Sequence, residues 1–438
     1  MTNEASEPRA ARRARFVSMV MLFLVSTFNY VDRTIISILQ VPIKADLHLS
    51  DAQVGALTGL SFALFYTTLS LPIARLADRA NRRNIIALSL FVWSGMTALS
   101  GLARNYAMLV LFRIGVAVGE AGSIPASQSI IADYFPPHRR ATALAIWGLS
   151  LPVGLMAGYG VTGRLAQVFD WRVVFAMVGG AGVLLTPFVI WLTREPPRGR
   201  FDPPVPTAPA GQGEAAPAES VMAVLRELAG KRVLRFLMIA AAFHGFTQYS
   251  LMNWTVPFYV RLHGMSLAEV GAYMALASGL GGAIGMFTGG TLADYLGLRD
   301  ESWRVRVIGL SFLGTVAAAL GQLLVRDLSV SLAFGFVCAT LQIAYYGPIV
   351  AVVQALVPAR RRAFAGALLL LVFNIVGLGL GPFLTGALSD HLIGLVGDQA
   401  LRWALIVCLA GSTGAGIAFL AIGPAFRAEM ARVRAAEQ

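Results

Sequence analysis

Long apolar runs recur along the whole chain, and short polar segments separate them. Most runs approach the ~20 residues that a helix needs to cross the ~30 Å hydrocarbon core of a bilayer. Lipid offers the backbone no hydrogen-bond partner, so a spanning run is expected to be helical throughout. The pattern therefore predicts an all-α integral membrane protein with twelve transmembrane helices. We place them at residues 16–41, 51–75, 84–103, 107–135, 141–168, 172–193, 233–261, 267–296, 304–325, 329–357, 363–389 and 400–423.

One long connection interrupts this pattern, between the sixth and seventh spans. It begins with a segment rich in Pro, Ala and Gly, a composition that cannot bury a core. We therefore predict an N-terminal six-helix bundle (1–193), a cytoplasmic linker (194–232) and a C-terminal six-helix bundle (233–438). Near the end of the linker, from Ser220 to Leu228, apolar residues recur at helical spacing. This segment is either an amphipathic helix on the membrane surface or a solvated linker helix.

Two loops of the first half each have a similar counterpart in the second half, and the two counterparts occur in the same order. ARLADRANRR (Ala74 to Arg83) follows the second span, and GTLADYLGLR (Gly290 to Arg299) follows the eighth. FPPHRRA follows the fourth span, and VPARRRA follows the tenth. Two matches in one order are hard to attribute to chance, so the halves are predicted to be pseudo-symmetric. A parallel six-plus-six repeat is typical of major facilitator transporters, whose substrate site lies between the halves near the bilayer midplane.

Composition and charge agree with a membrane protein. The chain is 57% hydrophobic and 13% charged, which is far too apolar for a soluble protein of 438 residues. Its net charge of +12 does not indicate nucleic acid, because the basic residues form short clusters at the ends of spans. The termini and even-numbered loops carry 26 of the 35 lysines and arginines, and the odd-numbered loops carry seven. The positive-inside rule then places both termini in the cytoplasm.

Four fully charged side chains lie inside otherwise apolar spans. Arg113 and Glu120 share a face of the fourth span but stand ~10.5 Å apart along its axis, too far to pair. Asp32 and Arg33 of the first span lie at a similar depth, ~24 Å against ~22 Å for Glu120. A charge near mid-bilayer costs roughly 2.5 to 3.5 kcal/mol, so each is expected to find a partner on another helix or a water-filled cavity. The alternative is an ion pair that only fastens the bundle.

These sequences resemble known families. ARLADRANRR is similar to the loop signature of the major facilitator superfamily, with Ala74 and Asn81 where that signature has glycine. FNYVDR in the first span, GEAGSIPASQSIIADYFPPHRRA in the fourth and LPVGLMAGYG in the fifth resemble the spinster-like lipid transporters. The first resemblance covers the whole chain, and the second rests mainly on the N-terminal half. Together they imply the major facilitator fold and a transported substrate.

The superfamily resemblance also implies a latch that holds the cytoplasmic side closed. Asp78 opens the third span, where a carboxylate favours the positive helix terminus, and Asp133 at the end of the fourth span is the expected partner of Arg79. Arg79, Arg82 and Arg83 are expected to face anionic lipid or carboxylates, and for Arg82 and Arg83 we prefer a role as topology anchors. The candidate gating residues are Asp78, Arg79, Arg83, Asp133 and Asp294.

The two halves differ in the chemistry of their spans. The C-terminal half carries almost no charge at membrane depth and offers neutral hydrogen-bonding groups instead, among which His244 is expected to be a core residue. We expect the N-terminal half to handle protons, through Asp32 and Glu120, or an anionic head group. A buried carboxylate that gains and loses an arginine contact can take up and release a proton. The candidate substrate-binding residues are Arg33, Arg113, Asn29, Tyr30, Ser123, Gln248, Tyr249, Asn253, Tyr345 and Asn374.

These observations indicate a proton-coupled, alternating-access transporter of an amphipathic lipid such as a lysophospholipid or sphingoid phosphate. A small organic anion carrier is the alternative within transport, because both arginines would also suit a carboxylate. A non-transporting lipid receptor also stays open. An enzyme is not expected, since the chain has no His-Glu-x-x-His, Gly-x-Ser-x-Gly or Walker motif.

Further expectations concern location and cofactors. The basic N-terminal arm lacks a cleavage site, so the first span is predicted to remain as an uncleaved signal anchor. Cys338 and Cys408 lie inside spans, where buried thiols are expected rather than a disulfide or metal ligands. We expect a monomer without cofactor or metal, surrounded by membrane lipids, in the plasma membrane or in the inner membrane of a bacterium.

Overall fold

The computed structural model describes residues 9–77, 80–201, 221–358 and 361–437, and these residues form helices joined by short turns. A linker helix, Val221–Gly230, and a tail helix, Gly423–Glu437, lie outside the spans. The spans are α1 (Arg9–Leu47), α2 (Asp51–Gly55, Ala56–Leu60, Ser61–Ala77), α3 (Arg82–Ser100), α4 (Tyr106–Glu120, Ser123–Tyr134), α5 (Pro137–Gly148, Ser150–Val168), α6 (Trp171–Leu192), α7 (Arg232–His263), α8 (Leu267–Ala275, Leu276–Gly281, Gly282–Gly297), α9 (Ser302–Leu324), α10 (Leu328–Ala344, Tyr346–Ala355), α11 (Arg362–Val372, Phe373–Leu380, Gly381–Val396) and α12 (Ala400–Ala421).

This architecture confirms the all-α fold with twelve spans. Within the described residues, nine helical segments are apolar and long enough to cross a membrane, and one of them, Phe364–Ala421, contains both α11 and α12. The helices α3 and α7 do not qualify on composition. The first begins with charged and polar residues, and the second carries His244, Gln248 and Asn253. Polar residues in these two spans therefore mark positions where packing, rather than lipid, surrounds the helix.

Three spans are interrupted ahead of a proline. In α4 the helix breaks between Glu120 and Ser123, before Pro125; α5 breaks before Pro152 and α10 before Pro348. Proline removes one backbone hydrogen bond, and its ring clashes with the carbonyl four residues earlier, so the helix bends there. In α4 the break directly follows Glu120, which makes this carboxylate the last residue of its helical segment.

The chain crosses the bundle twelve times, an even number, so Arg9 and Glu437 lie at the same face of the bundle. We call it the terminal face. At the opposite face the two halves are joined through Asp51, the first residue of α2. Its carboxylate accepts two hydrogen bonds of 2.9 Å from Arg261 of α7 and one of 2.8 Å from Ser389 of α11. Lys44 of α1 also pairs with Asp51. We call Lys44, Asp51, Arg261, Ser389 and Asp390 the opposite-face cluster.

Asp390 completes this cluster by capping a helix of the other half. Its carboxylate accepts hydrogen bonds of 2.9 and 2.8 Å from the backbone N–H groups of Asp51 and Ala52, the first two residues of α2. These groups have no partner within the helix, and a carboxylate there also favours the positive end of the helix dipole. One turn deeper, the Gln40 side chain donates to the backbone carbonyl of Asn253 at 2.7 Å. The halves are therefore closed together at the opposite face.

Close backbone approach between α2 and α11 supports the same closure. A Cβ atom built on Gly55 would lie 2.2 Å from the carbonyl oxygen of Pro382, and one on Gly59 would lie 2.5 Å from that of Leu378. Only glycine fits at such distances. Both helices contain a π-helical stretch beside this contact, Ala56–Leu60 in α2 and Phe373–Leu380 in α11. Such stretches interrupt regular helix geometry and often occur at functional positions.

The linker helix packs against the C-terminal half. Leu228 is 1% exposed, within a core cluster formed by C-terminal residues. Glu227 forms a 2.8 Å ion pair with Arg361, and the ammonium of Lys231 donates at 2.8 Å to the carbonyl of Leu356. The apolar spacing within 220–228 thus buries one face on the spans of its own half. The described part of the predicted segment is a docked helix rather than a fully solvated one.

Candidate functional site

The four buried charges of the N-terminal half form two crossed pairs. The Nε atom of Arg33 lies 2.8 Å from a carboxylate oxygen of Glu120, and Arg113 lies 3.7 Å from Asp32. The hydroxyl of Thr97 on α3 donates to the other oxygen of Asp32. The predicted meeting of the first and fourth spans at similar depth is confirmed. Because adjacent residues on a helix point ~100° apart, Asp32 and Arg33 reach different partners.

One aromatic side chain, Phe62, lies close to both arginines. The guanidinium carbon of Arg33 lies 5.1 Å from the ring centre of Phe62, and that of Arg113 lies 4.6 Å from the same ring. Arg33 also lies 4.9 Å from the ring centre of Tyr66, which stacks on Phe62. Cations over aromatic faces gain from the ring quadrupole, most strongly where water is scarce. The Arg33 side chain is 24% exposed and that of Glu120 0%, so Arg33 joins a buried carboxylate to accessible space.

The network leaves polar atoms unused. Within the described residues, one atom of each charged side chain lacks a hydrogen-bond partner: Oδ2 of Asp32, Nη2 of Arg33, Nε of Arg113 and Oε1 of Glu120. Both amide atoms of Asn29, one turn before Asp32, are also buried without a partner. Most buried polar atoms in proteins are paired, so such a concentration is unusual. These groups retain capacity for a proton, water or a bound molecule.

Neutral polar groups of the C-terminal half form a hydrogen-bonded cluster of their own. The hydroxyl of Tyr345 on α10 donates to the side-chain carbonyl of Gln248 on α7 at 2.7 Å, and the amide of Gln248 donates to the carbonyl of Gln342 at 3.3 Å. Nδ1 of His244 lies 2.8 Å from the hydroxyl of Ser412, and the histidine is fully buried. The structure therefore places His244 in the core, as the sequence predicted, together with Tyr345, while Gln248 is half-buried beside them.

Tyrosines from both halves surround Arg33. Its guanidinium carbon lies 5.8 Å from the ring centre of Tyr30, and Tyr249 of α7 lies in the same region of the structure. Tyr66 and Tyr346 lie near Tyr249. We call Tyr30, Tyr66, Tyr249 and Tyr346 the tyrosine ring. The sequence indicated Tyr30 and Tyr249 as candidates, whereas Tyr66, Phe62 and Thr97 were missed because aromatic and hydroxyl residues are common in ordinary membrane helices.

Three further candidate residues lie apart from Arg33 and the groups described so far. Asn253 is 8% exposed and lies where the halves meet near the opposite face, and its backbone carbonyl accepts a hydrogen bond from Gln40. Ser123 is buried at the start of the second segment of α4. Asn374 is half-buried in the π-helical stretch of α11, three residues before Gly377, where an added Cβ would lie 2.8 Å from Tyr249. Their role in substrate binding remains a prediction.

At the terminal face the structure corrects the role expected of Arg82. This side chain is 2% exposed, pairs with Asp133, and donates at 2.6 Å to Glu195 and at 2.9 Å to the hydroxyl of Ser129. Of the two expected kinds of partner, anionic lipid and carboxylates, the structure shows carboxylates: one from α4 and another from beyond α6 enclose Arg82, so it is not an exposed anchor. Asp133 also accepts a 3.0 Å bond from the N–H of Gly199. The cluster fastens three elements of the N-terminal half.

Of the other candidate gating residues, Arg83 and Asp294 are among the residues that the structure describes. Asp78 and Arg79 lie outside the described residues, so the described partner of Asp133 is Arg82. Arg83 is half-buried, and its side chain donates to Asn84 at 3.2 Å. Asp294 is exposed on α8. Their role in closing this face remains a prediction.

The opposite-face cluster was missed by sequence reasoning. Its members lie in four separate segments, and each resembles a topology anchor or a helix cap when considered alone. The available signal was the Ser50-x-x-Gln53 capping box with Asp51 in its first turn, which marks a helix start but not a distant partner. Within the described residues no group of His, Cys, Asp or Glu is suited to hold a metal ion. Cys338 and Cys408 are buried and unbonded to each other.

Comparison with known proteins supports this description. The model of the Major Facilitator Superfamily matches residues 22–301. An MFS-type efflux pump of Mycolicibacterium smegmatis (strain ATCC 700084 / mc(2)155) is 35% identical over 409 residues, covering 92% of this chain and 91% of the relative. A probable galactarate/D-glucarate transporter of Bacillus subtilis (strain 168) is 30% identical over 362 residues, covering 72% and 79%.

A solved structure shares the whole architecture. The crystal structure of a bacterial homolog to the human lysosomal transporter Spinster, inward-facing and unoccupied, aligns with a TM-score of 0.78 at 32% identity and covers 96% of this chain and 97% of that chain. The match extends over both halves, so it confirms the spinster resemblance beyond the N-terminal motifs. The chain is a multi-pass membrane transporter, and it belongs to the major facilitator superfamily.

Proposed function

We propose that this transporter works by alternating access, moves an amphipathic anionic lipid such as a lysophospholipid or sphingoid phosphate, and couples this movement to protons. The observation that carries the proposal is the position of Arg33. Its guanidinium binds the fully buried Glu120 on one side and meets the tyrosine ring on the other. A single side chain thus connects a buried carboxylate with the space between the halves.

The surroundings of Arg33 suit a phosphate carried on an apolar chain. Arginine presents a planar fork that binds phosphate oxygens in pairs. The tyrosine ring offers hydroxyl donors beside broad apolar faces, and the hydrogen-bonded pair of Tyr345 and Gln248 from the other half is neutral. A ligand with one charged end and a long uncharged body therefore finds a matching partner for each part.

Proton coupling follows from the same contact. When Arg33 turns to a substrate phosphate, Glu120 loses its partner while 0% exposed. An unpaired buried carboxylate strongly favours its neutral form, so substrate entry promotes proton uptake by Glu120. Asp32 keeps Arg113 and Thr97 as partners and acts as the second carboxylate of the relay.

We predict that Glu120→Gln or Asp32→Asn still exchanges substrate across proteoliposomes but loses accumulation driven by a pH gradient. Both variants are isosteric and permanently neutral, so they remove the proton site while keeping the shape of the network. Asp170→Asn, an exposed cap of α6, is the matched control and should behave as the unmodified protein. Full pH-driven accumulation in both variants would show that neither residue couples protons. Complete absence of uptake by the unmodified protein would instead favour a lipid receptor.

A small organic acid is the second candidate substrate. The relative from Bacillus subtilis named for galactarate and D-glucarate supports it, as does the ability of two arginines to bind carboxylates. We predict that lysolipids raise the melting temperature of the purified protein and that short sugar acids do not, because the tyrosine ring gains apolar contact only with a lipid chain. A ligand at 100 times its dissociation constant stabilises by about 2.7 kcal/mol, which a thermal-shift assay resolves. Stabilisation by short acids alone would overturn the lipid assignment.

The proposal also includes the orientation of the protein in the membrane. The terminal face is the cytoplasmic face, because the loops there carry most of the lysines and arginines. The described state, closed at the opposite face, is then accessible from the cytoplasm, in the inner membrane of a bacterium. The bundles 1–193 and 233–438 move as the two bodies, joined by 194–232.

A further inference from the structure

A groove on the outer side of the C-terminal half lies apart from the charged network of Arg33. It has a volume of about 450 Å³ and is enclosed by the linker helix, α7 and α11. Its walls are almost entirely apolar. The residues that define it are Leu225 of the linker helix, Arg235, Ile239 and Phe243 of α7, and Leu368 and Val376 of α11.

The groove has the depth of one membrane leaflet. From Arg235 to Phe243, and again from Leu368 to Val376, eight residues extend ~12 Å along a helix. One leaflet contributes about half of the ~30 Å hydrocarbon core. Both helices start at the terminal face, so Arg235 marks the mouth and Phe243 the inner end. Ile239 is 53% exposed and Phe243 54%, which places this wall against hydrocarbon.

Positive charge is concentrated at the mouth. Arg232 and Arg235 are exposed one helical turn apart on α7, and Arg362 is exposed at the start of α11. Glu227 is the carboxylate that the linker helix contributes, and Arg361 already pairs with it. In the described residues around the mouth, cations therefore outnumber carboxylates. Basic clusters beside an apolar pocket at the cytoplasmic surface attract anionic lipid head groups.

We propose that this groove binds an anionic diacyl glycerophospholipid of the surrounding leaflet, with one acyl chain between α7 and α11 and its phosphate at Arg235. The bound lipid contacts Leu225, so it also holds the linker helix against the C-terminal half. The site differs from that of a transported lipid, because the groove opens to the bilayer on the outside of the bundle, whereas Arg33 lies between the halves.

The test is lipid retention measured by native mass spectrometry. Protein purified with equal amounts of phosphatidylglycerol and phosphatidylcholine should retain the former preferentially, and Arg235→Gln should lower this preference roughly fivefold, the effect of one cation near the surface. Arg299→Gln, another exposed arginine of the same half, is the matched control. Equal losses in both variants would reduce the effect to general surface charge and overturn the site.

A second pair of variants tests the groove itself. Ile239→Trp places a large ring in the groove from an exposed position, and Ile284→Trp makes the same change on α8, where the side chain is 42% exposed. Only the first should lose bound phosphatidylglycerol. Arg33→Gln should retain as much as the unmodified protein. Retention by Ile239→Trp, or loss in Arg33→Gln, would place the lipid elsewhere and overturn the proposal.

Discussion

Arg33 and Arg113 occupy corresponding places in two ion pairs, yet their surroundings give them different access to a substrate. Arg113 is 8% exposed and lies between Asp32 and Phe62, so its guanidinium is committed to the interior. Arg33 is 24% exposed and faces the tyrosine ring. Both residues cost free energy to bury, and that cost is offset by a carboxylate partner and an aromatic face. The difference in access makes Arg33 the better candidate for direct contact with a substrate.

We predict that Arg33→Ala weakens binding of a phosphate-bearing lipid roughly tenfold to hundredfold, since hydrogen bonds to charged groups contribute about 1.5 to 3 kcal/mol. The dephosphorylated lipid should lose much less, and Arg113→Ala should discriminate less between the two ligands. Binding is measured by titration calorimetry in detergent. Arg104→Ala, an exposed arginine at the opposite face, is the control. Because Arg33→Ala leaves Glu120 unpaired, the double variant Arg33→Ala/Glu120→Gln is measured too, and equal losses for both lipids there would contradict the prediction.

At the scale of helices, irregular segments coincide with candidate functional positions. The break in α4 follows Glu120, and the break in α10 occurs at Tyr345, whose hydroxyl binds Gln248. The π-helical stretches of α2 and α11 lie beside the closest approach of the two halves. A helix that is already interrupted bends at lower cost than a regular one, so these spans are suited to changes of shape.

Gly55→Ala tests the contact between α2 and α11. The added methyl would lie 2.2 Å from a backbone oxygen, so the helices must separate, at a cost of about 1 to 3 kcal/mol. We predict a longer distance between spin labels at Arg104→Cys and Asp398→Cys, two exposed opposite-face positions on different halves. Gly95→Ala on α3, where no heavy atom lies within 4 Å of the new methyl, should leave the distance unchanged. Identical distances in both variants would mean that this contact does not hold the face closed.

At the scale of the whole molecule, buried carboxylates at the two faces differ in what they join. Asp51, 1% exposed, connects α1, α7 and α11 and therefore links the halves. Asp133 binds Arg82 and stays within the N-terminal half. In a carrier that alternates between two closures, the contacts across the halves exist only on the closed face. The arrangement at Asp51 is therefore specific to the described state.

We predict that Asp51→Asn moves the population toward a state open at the opposite face. Loss of a buried charge that two cations share costs about 3 kcal/mol or more, sufficient to change a two-state equilibrium by about a hundredfold. The label pair at positions 104 and 398 reports the opening, and Asp170→Asn is the control.

For the terminal face, Asp78→Asn and Asp133→Asn should shift the population away from closure there, and the distance between spin labels on loops 2 and 8 reports the shift. Unchanged distances in these variants would remove the gating role of the carboxylate concerned.

The sequence by itself determined the spans, the repeat and the charged positions, because these depend on local properties. Run length against bilayer thickness predicts a helix, and proline predicts its break, without knowledge of any neighbour. Only the tertiary structure decided the partners. Glu120 binds Arg33 while Asp32 binds Arg113, and Arg82 is enclosed by Asp133 and Glu195, because partners far apart in sequence are chosen by helix rotation and packing. The closure at Asp51 belongs to one conformational state. The same sequence also encodes a state that is open at that face, so the sequence alone does not decide which of the two is described.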